Sequence, residues 1–251
     1  MSAADAASRN IPACELLRIS PPGSRHLRGL TFSDEAWNRL SAGGARCYLF
    51  APGENPSKAA RQYIREGEEA NVHNAYKCKV RTPWWRVPTV ERPDFLFGYM
   101  SHDRPRITRN AASVQVLNSL YGIRLHAQRM TPASDLLALA SLNSMTLLGA
   151  EIVGRAYGGG LLKHEPREAS LLPMPSEPAL HASAGKLAFV RTQVANLLRR
   201  NDIAPAIDLV DRVILFDHYG LTVSQVAALR AARDTLRQRR IARGRTGHGE
   251  N

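Results

Sequence analysis

Cysteine is scarce in this 251-residue chain, and its spacing excludes two kinds of site. The three cysteines, Cys14, Cys47 and Cys78, are odd in number and far apart in the sequence. No C-x-x-C pair occurs, so the sequence predicts neither a structural zinc site nor a disulfide framework. Because disulfides persist mainly in oxidising compartments, we expect reduced thiols and a cytoplasmic protein.

Long apolar runs and catalytic motifs are also lacking. No run of about 18 apolar residues occurs, so we expect no transmembrane helix and no membrane partner. The first ten residues contain no apolar stretch typical of a signal peptide. The eight histidines stand singly, and neither a P-loop nor a G-x-S-x-G motif is present. The sequence therefore predicts no metal site and no catalytic residue in this chain.

Acidic residues are fewer than basic ones, and the excess of cations is unevenly distributed. The formal net charge is +12, which favours an anionic partner such as nucleic acid. Residues 71–130 carry ten cations and three anions, and residues 189–251 carry eleven and six. Residues 131–188 carry four cations and five anions, so the arginine content is not simply high everywhere.

The basic tryptophan segment, residues 76–88, combines groups that suit nucleic acid. Cations neutralise phosphates, indoles stack on bases, and prolines limit the entropy of a loop. On a strand, two adjacent indoles would point to opposite faces, so we expect at most one of them to face a given core. Core burial and contact with DNA are both open interpretations for the pair. The candidate DNA-binding residues of this segment are Lys77, Lys79, Arg81, Trp84, Trp85 and Arg86.

Arg104, Arg106, Arg109 and Asn110 form a second polar cluster. Arginine can read guanine and asparagine can read adenine, although most protein–DNA contacts go to the sugar-phosphate backbone. We include these four residues among the candidate DNA contacts. The seven arginines between Arg230 and Arg245 are interpreted instead as the solvated face of a terminal helix.

The pattern of apolar residues predicts an α+β protein with three parts. Residues 1–14 are predicted to be a disordered leader, residues 15–175 an irregular β-rich domain with packed helices, and residues 176–251 a small C-terminal helical segment with a basic tail. Ser33 and Ser57 are predicted to cap helices. A helix is expected from Pro132 to about residue 155, followed by a glycine turn at residues 158–160. A polar connector is expected over residues 176–185.

Several ordered motifs of this chain resemble the C-terminal, target-recognition half of adenine-specific (N6) DNA methyltransferases of restriction–modification systems. The resemblance spans about residues 15–245, and it implies that the β-rich domain, residues 15–175, is a DNA target-recognition domain. It implies that the glycine turn, with Gly158, Gly159 and Lys163, also belongs to the DNA-binding surface. The motifs are residues 76–88, Pro93-Asp94, Met100, Arg109-Asn110, residues 140–144, residues 154–163, Glu165-Pro166, residues 172–175, residues 210–215, Leu229-Arg230 and Arg239-Arg240.

The same resemblance exposes a departure from the family pattern. Enzymes of this kind bind S-adenosylmethionine on a glycine-rich loop, and they hold the flipped adenine with an Asn/Asp-Pro-Pro-aromatic motif. Neither motif is found, and the nearest string, residues 55–58, has no second proline and no aromatic residue. We therefore expect a chain that recognises double-stranded DNA but binds no cofactor itself. S-adenosylmethionine and catalysis are expected on a separate catalytic domain or subunit.

Two alternatives stay open at this point. In the first, the chain is a restriction endonuclease or another DNA-processing enzyme of the same system. In the second, the chain is a fragment of a longer gene. Asp94, Glu151 and Glu165 are conceivable nuclease carboxylates, but they lack the closely spaced acid and lysine that such a site requires.

Overall fold

Short strands and longer helices alternate along the chain in a computed structural model, which describes residues 1–126 and 131–246. The predicted α+β class is confirmed. The chain divides into two compact units. Unit 1 comprises residues 1–23, 32–93 and 110–119, and unit 2 comprises residues 24–31, 94–109 and 120–251.

Unit 1 contains the N-terminal strands and four helices. Strands β1 and β3 pair antiparallel, with Leu17 opposite Leu49. Its predicted helix caps are confirmed: the Ser33 hydroxyl accepts from Ala36 N at 3.2 Å, and the Ser57 hydroxyl accepts from Ala60 N at 3.1 Å. The elements are α1 (Ala3–Ser8), β1 (Leu16–Arg18), β2 (Thr31–Phe32, at the boundary of the units), α2 (Asp34–Ala42), β3 (Tyr48–Phe50), α3 (Lys58–Glu69) and α4 (Tyr76–Lys79).

The core of unit 1 forms around Trp37. Its indole Nε1 donates to Ile19 O at 3.0 Å, and the ring meets Tyr48 edge-on at 5.3 Å. The guanidinium of Arg18 lies 4.0 Å from the centroid of the indole. A buried indole with its N–H satisfied gives a large apolar contact without a desolvation penalty for the polar atom.

Unit 2 contains most of the strands and the long helices. In one sheet β4 lies between β6 and β7, and in another β9 lies between β5 and β8. In the first, β4 pairs antiparallel with both neighbours, so Phe97 faces Ile107 on one side and Tyr121 on the other. The elements are β4 (Phe95–Gly98), β5 (Met100–Ser101), β6 (Arg106–Asn110), β7 (Tyr121–Ile123), α5 (Leu137–Ala140), α6 (Ser144–Val153), β8 (Arg155–Tyr157), β9 (Leu161–Lys163), α7 (Pro166–Ser170), α8 (Glu177–Arg200), α9 (Ile203–Asp211) and α10 (Val223–Thr246).

The helices of unit 2 share one apolar core. Leucine, isoleucine and valine side chains from α5, α6, α8 and α9 are buried together, with Val226 of α10. A π-helical turn, Arg212–His218, follows α9 and adds Ile214 to this core. Among the described residues, no single helix is long and apolar enough to cross a membrane; one bent pair, Pro132–Ala140 with Ser144–Val153 at 66°, meets the criteria of length and composition.

Three local predictions are corrected by the structure. Residues 3–8, predicted to be disordered, form α1 because the Ser2 and Asp5 side chains make a capping box. The predicted single helix from Pro132 is broken, because Asn143 caps a new helix by accepting from Thr146 N. The predicted connector after residue 175 is helical, since Ser176 caps α8 and a proline follows in its first turn. The functional division at residues 14 and 175 stays a prediction.

Candidate nucleic-acid interface

The basic tryptophan segment lies in unit 1 and forms a short helical turn followed by irregular chain. Lys77 and Lys79 are exposed on α4, Arg86 is exposed beyond it, and Arg81 is half-buried. Within the part of the chain that the structure describes, none of these four side chains has an ion pair or a hydrogen bond. No acidic residue occurs from position 76 to position 90. The four cations, the basic quartet, are therefore available to an anionic partner.

Trp84 anchors the segment to helix α3. Its Nε1 donates to the Glu68 carboxylate at 3.1 Å, and a Cβ at Gly67 would lie 2.7 Å from Cη2 of the ring. Gly67 therefore makes room for the indole. Trp85 meets Trp84 edge-on at 6.0 Å, in a turn and not on the strand that the sequence suggested. Both indoles are half-buried, and Trp84 has a structural contact that explains its presence.

The buried side chain of Asn110 hydrogen-bonds to two backbone segments of unit 1. Its Nδ2 donates to Pro93 O and to Val114 O, each at 2.8 Å, and its Oδ1 accepts from Val114 N at 3.1 Å. The side chain is 7% exposed. Because its amide is engaged with backbone groups, Asn110 is held as a turn-forming residue, and contact with a base requires these bonds to break.

The three arginines of the second polar cluster lie in unit 2 and contact other protein groups. Arg104 is buried beside Arg28 O, and burial lowers the pKa of its guanidinium to about 10. Arg106 donates to Ser24 O at 3.1 Å and pairs with Asp103 at 3.2 Å.

Arg109 lies on β6 and donates to the Asp135 carboxylate at 2.6 Å. Its side chain is partly exposed, so the ion pair is exchangeable with a phosphate at small cost. Arg104 and Arg106 are less accessible, because more of each side chain is buried against backbone carbonyls.

The glycine turn, residues 158–160, lies between β8 and β9 in unit 2 and packs on helix α10. Gly159 and Gly160 have φ of +70° and +73°, which favours glycine, and a Cβ at Gly160 would lie 3.2 Å from Ile241 Cα. Gly158 has neither constraint, since open space surrounds its Cβ position. Lys163 pairs with Glu165 at 2.6 Å and lies 5.1 Å from the Tyr157 ring centroid.

The predicted site residues thus fall into two sets. Unit 1 holds the basic quartet, both indoles and Asn110; unit 2 holds the three arginines of the second cluster, Gly158, Gly159 and Lys163. Among the predicted cations, those of unit 1 have no internal partner among the described residues, whereas those of unit 2 are engaged with other protein groups.

Arg230 and Arg240 of α10 are bonded to buried acids, which corrects the interpretation of these two arginines as part of a solvated face. Arg240 is 3% exposed and pairs with Glu151 at 2.8 Å, and it also donates to Gly160 O. Arg230 donates to the fully buried Asp211 at 2.5 Å. A signal for the first pair is present in the sequence: Glu151 stands within the apolar run of α6, where a buried acid requires a cationic partner.

Comparison with known protein families identifies the family of this chain. Residues 1–215 match the family described as "Type II methyltransferase M.Eco57I, C-terminal domain", so the chain is a member of that family. It is also 33% identical over 117 residues to "Type II methyltransferase M.XamI" of Xanthomonas campestris pv. amaranthicola. That alignment covers 45% of this chain and 21% of the relative. No solved structure matches the chain significantly.

Family membership agrees with the resemblance of the ordered motifs to DNA methyltransferases of restriction–modification systems. It also places the basic quartet within the matched residues, whereas α10 begins after them. Across residues 1–126 and 131–246, no group of three or more His, Cys, Asp or Glu side chains has an arrangement that could hold a metal ion.

Proposed function

We propose that this chain is the DNA-recognition part of a site-specific adenine-N6 methyltransferase of a restriction–modification system. It binds double-stranded DNA in the cytoplasm, and a separate catalytic domain or subunit binds S-adenosylmethionine and transfers the methyl group. The family description supports the methyltransferase part of this proposal. The matched family is described as the C-terminal domain of a methyltransferase, and this supports the separation of recognition from catalysis.

The observation that carries DNA binding is the basic quartet. Arginines and lysines with a structural role are paired with acids or carbonyls, as Arg106, Arg109 and Lys163 are. The quartet has four cations, no acidic residue between them and no internal partner among the described residues. Such a surface binds a polyanion by releasing its condensed counterions, and this gives steep dependence on salt.

The first prediction concerns the salt dependence of DNA binding. Fluorescence anisotropy with a labelled duplex should give a log K that falls with log salt by about 0.9 for each phosphate contact. Replacing the quartet by glutamine should make this slope shallower by about 3.6, and it should weaken binding near 0.1 M salt by roughly a thousandfold. The quartet substitutions are Lys77→Gln, Lys79→Gln, Arg81→Gln and Arg86→Gln.

A matched variant removes four charges from other exposed positions of the chain. The substitutions Lys186→Gln, Arg199→Gln, Arg200→Gln and Arg212→Gln lie on α8 and just after α9. This variant should keep most of the slope, since it lowers the net charge equally but leaves the quartet intact. Equal losses in the two variants would show a general charge effect and contradict the proposed surface. Methyl transfer to DNA, or Mg²⁺-dependent cleavage of DNA, by the chain alone would contradict the proposal that catalysis belongs to a separate domain or subunit.

A second prediction tests the glycine turn. Gly158→Ala adds a methyl group into open space at an ordinary φ, so the melting temperature should stay unchanged. If the turn approaches the DNA backbone as proposed, the same substitution should weaken binding several-fold, because a contact of about 1 kcal/mol is worth about fivefold. Gly159→Ala is the comparison: with φ +70°, it should cost about 1 kcal/mol of stability. Unchanged DNA binding by Gly158→Ala would remove the turn from the interface.

A further inference from the structure

Tyr76 is the most exposed aromatic residue beside the basic quartet. Its side chain is 81% exposed, and within the described part of the chain it makes no hydrogen bond and no ring contact. Val80, one helical turn later, is 70% exposed. Single exposed apolar residues are ordinary on protein surfaces, so exposure alone does not indicate a binding role. What distinguishes Tyr76 is its position among cations.

The charges around Tyr76 select the kind of partner. Lys77 and Lys79 are its neighbours on α4, and both are exposed and unpaired among the described residues. Because Tyr76, Lys77 and Lys79 lie on one helical turn, a phosphate backbone bound by the two ammonium groups would pass near the phenol ring. A nucleic acid offers an anionic backbone and flat apolar bases at the same place, so it satisfies both the cations and the ring.

The tryptophans of the segment are less suited to this role. Trp84 is hydrogen-bonded to Glu68, and its ring rests against Gly67, so its position is fixed by helix α3. Tyr76 has no such attachment. The stacking function that the sequence suggested for the indoles therefore falls on a residue that was not among the predicted contacts.

We infer that Tyr76 is a base-stacking residue of the interface. Its ring stacks on an unstacked base, or enters a base step, of the duplex held by the basic quartet, and Val80 supports it from the next turn. Aromatic and apolar side chains act in this way in proteins that unstack or bend DNA. This inference rests on the proposed function, and it adds a contact that carries no charge and leaves the number of neutralised phosphates unchanged.

The test compares Tyr76→Ala with Tyr76→Phe on a duplex selected by the wild-type chain from a randomised pool. Tyr76→Ala should bind about 5- to 100-fold more weakly, which corresponds to loss of one stacked base, and its salt slope should equal that of the wild type. Tyr76→Phe keeps the ring and should bind within about twofold of the wild type. Lys77→Gln is the opposite comparison, since it should reduce the salt slope by about 0.9.

Permanganate oxidation of unstacked thymines gives a second readout on the same duplex. The wild type and Tyr76→Phe should make a thymine at the site reactive, and Tyr76→Ala should not. If Tyr76→Ala bound with wild-type affinity and made the thymine as reactive as the wild type does, the inference about Tyr76 would be wrong. Steep salt-dependent DNA binding by the same variant would still support the proposed function. Equal losses in Tyr76→Phe would overturn the inference about Tyr76 by showing a hydroxyl contact. Failure of the wild type to bind any duplex would overturn the proposed function itself.

Discussion

Arg240→Ala is expected to destabilise unit 2 by about 3–5 kcal/mol, because it leaves Glu151 buried without a partner. The two side chains are 4% and 2% exposed, and they meet through two nitrogens at 2.8 and 2.9 Å. The guanidinium also donates to Gly160 O, so its loss frees a carbonyl of the glycine turn. At about 2–4 °C per kcal/mol, the melting temperature should fall by about 6–20 °C.

Two further variants isolate the cause of this loss. Arg239→Ala removes the neighbouring arginine, which is exposed, and should change stability by less than about 0.5 kcal/mol. The double variant Arg240→Met with Glu151→Leu removes both charges and should recover much of the loss. Amide hydrogen exchange in α6 and α10 would locate the effect in unit 2. If Arg240→Ala were as stable as the wild type, the ion pair between Arg240 and Glu151 would not be buried in solution.

The second large effect is expected for Asp211→Asn. The Asp211 carboxylate is fully buried and accepts from Ser144 N at 2.7 Å, from Ser144 Oγ at 2.6 Å and from Arg230 at 2.5 Å. Burial lowers the pKa of Arg230, but its bonds to Asp211 outweigh this and raise the pKa above its usual value. Asparagine has only one acceptor oxygen, and its NH₂ group faces donors, so we expect a loss of about 2–4 kcal/mol.

Asp208→Asn provides a matched comparison on the same arginine. Asp208 contacts Arg230 at 2.6 Å, but its side chain is 57% exposed. Because exposed pairs contribute about 0–1 kcal/mol, this substitution should have little effect on the urea unfolding midpoint. The difference between the two variants then measures the effect of burial together with the two hydrogen bonds from Ser144. Similar midpoints for Asp208→Asn and Asp211→Asn would show that water reaches the Asp211 carboxylate.

Several parts of the fold were predictable because they depend on neighbours in the sequence. Ser33 and Ser57 begin helices through hydroxyl groups that accept from a backbone N–H three residues later. The helical region ends at Val153, close to the predicted end at about residue 155, although strand β8 and not the glycine turn follows it. Such interactions span a single helical turn, so residue types alone reveal them.

The break in the helix after Pro132 involves a local cap and a longer-range contact. Residues 132–155 have helical periodicity throughout, but Asn143 caps a new helix whose first residue, Ser144, donates to Asp211, 67 residues away. Two short helices placed at 66° result. The periodicity of apolar residues predicts which face of a helix is buried. It does not predict a contact with a buried carboxylate on a later helix.

For the candidate interface, the sequence by itself determined where cations and aromatics are concentrated, and the motifs determined the family. Only the tertiary structure decided which of these groups are bonded within the protein and which are exposed to a partner. Arg104, Asn110 and Arg240 face partners inside the protein, whereas Lys77, Lys79 and Tyr76 face solvent. The physical reason is that the charge of a side chain is fixed by its chemistry, but its availability depends on acids and carbonyls far along the chain.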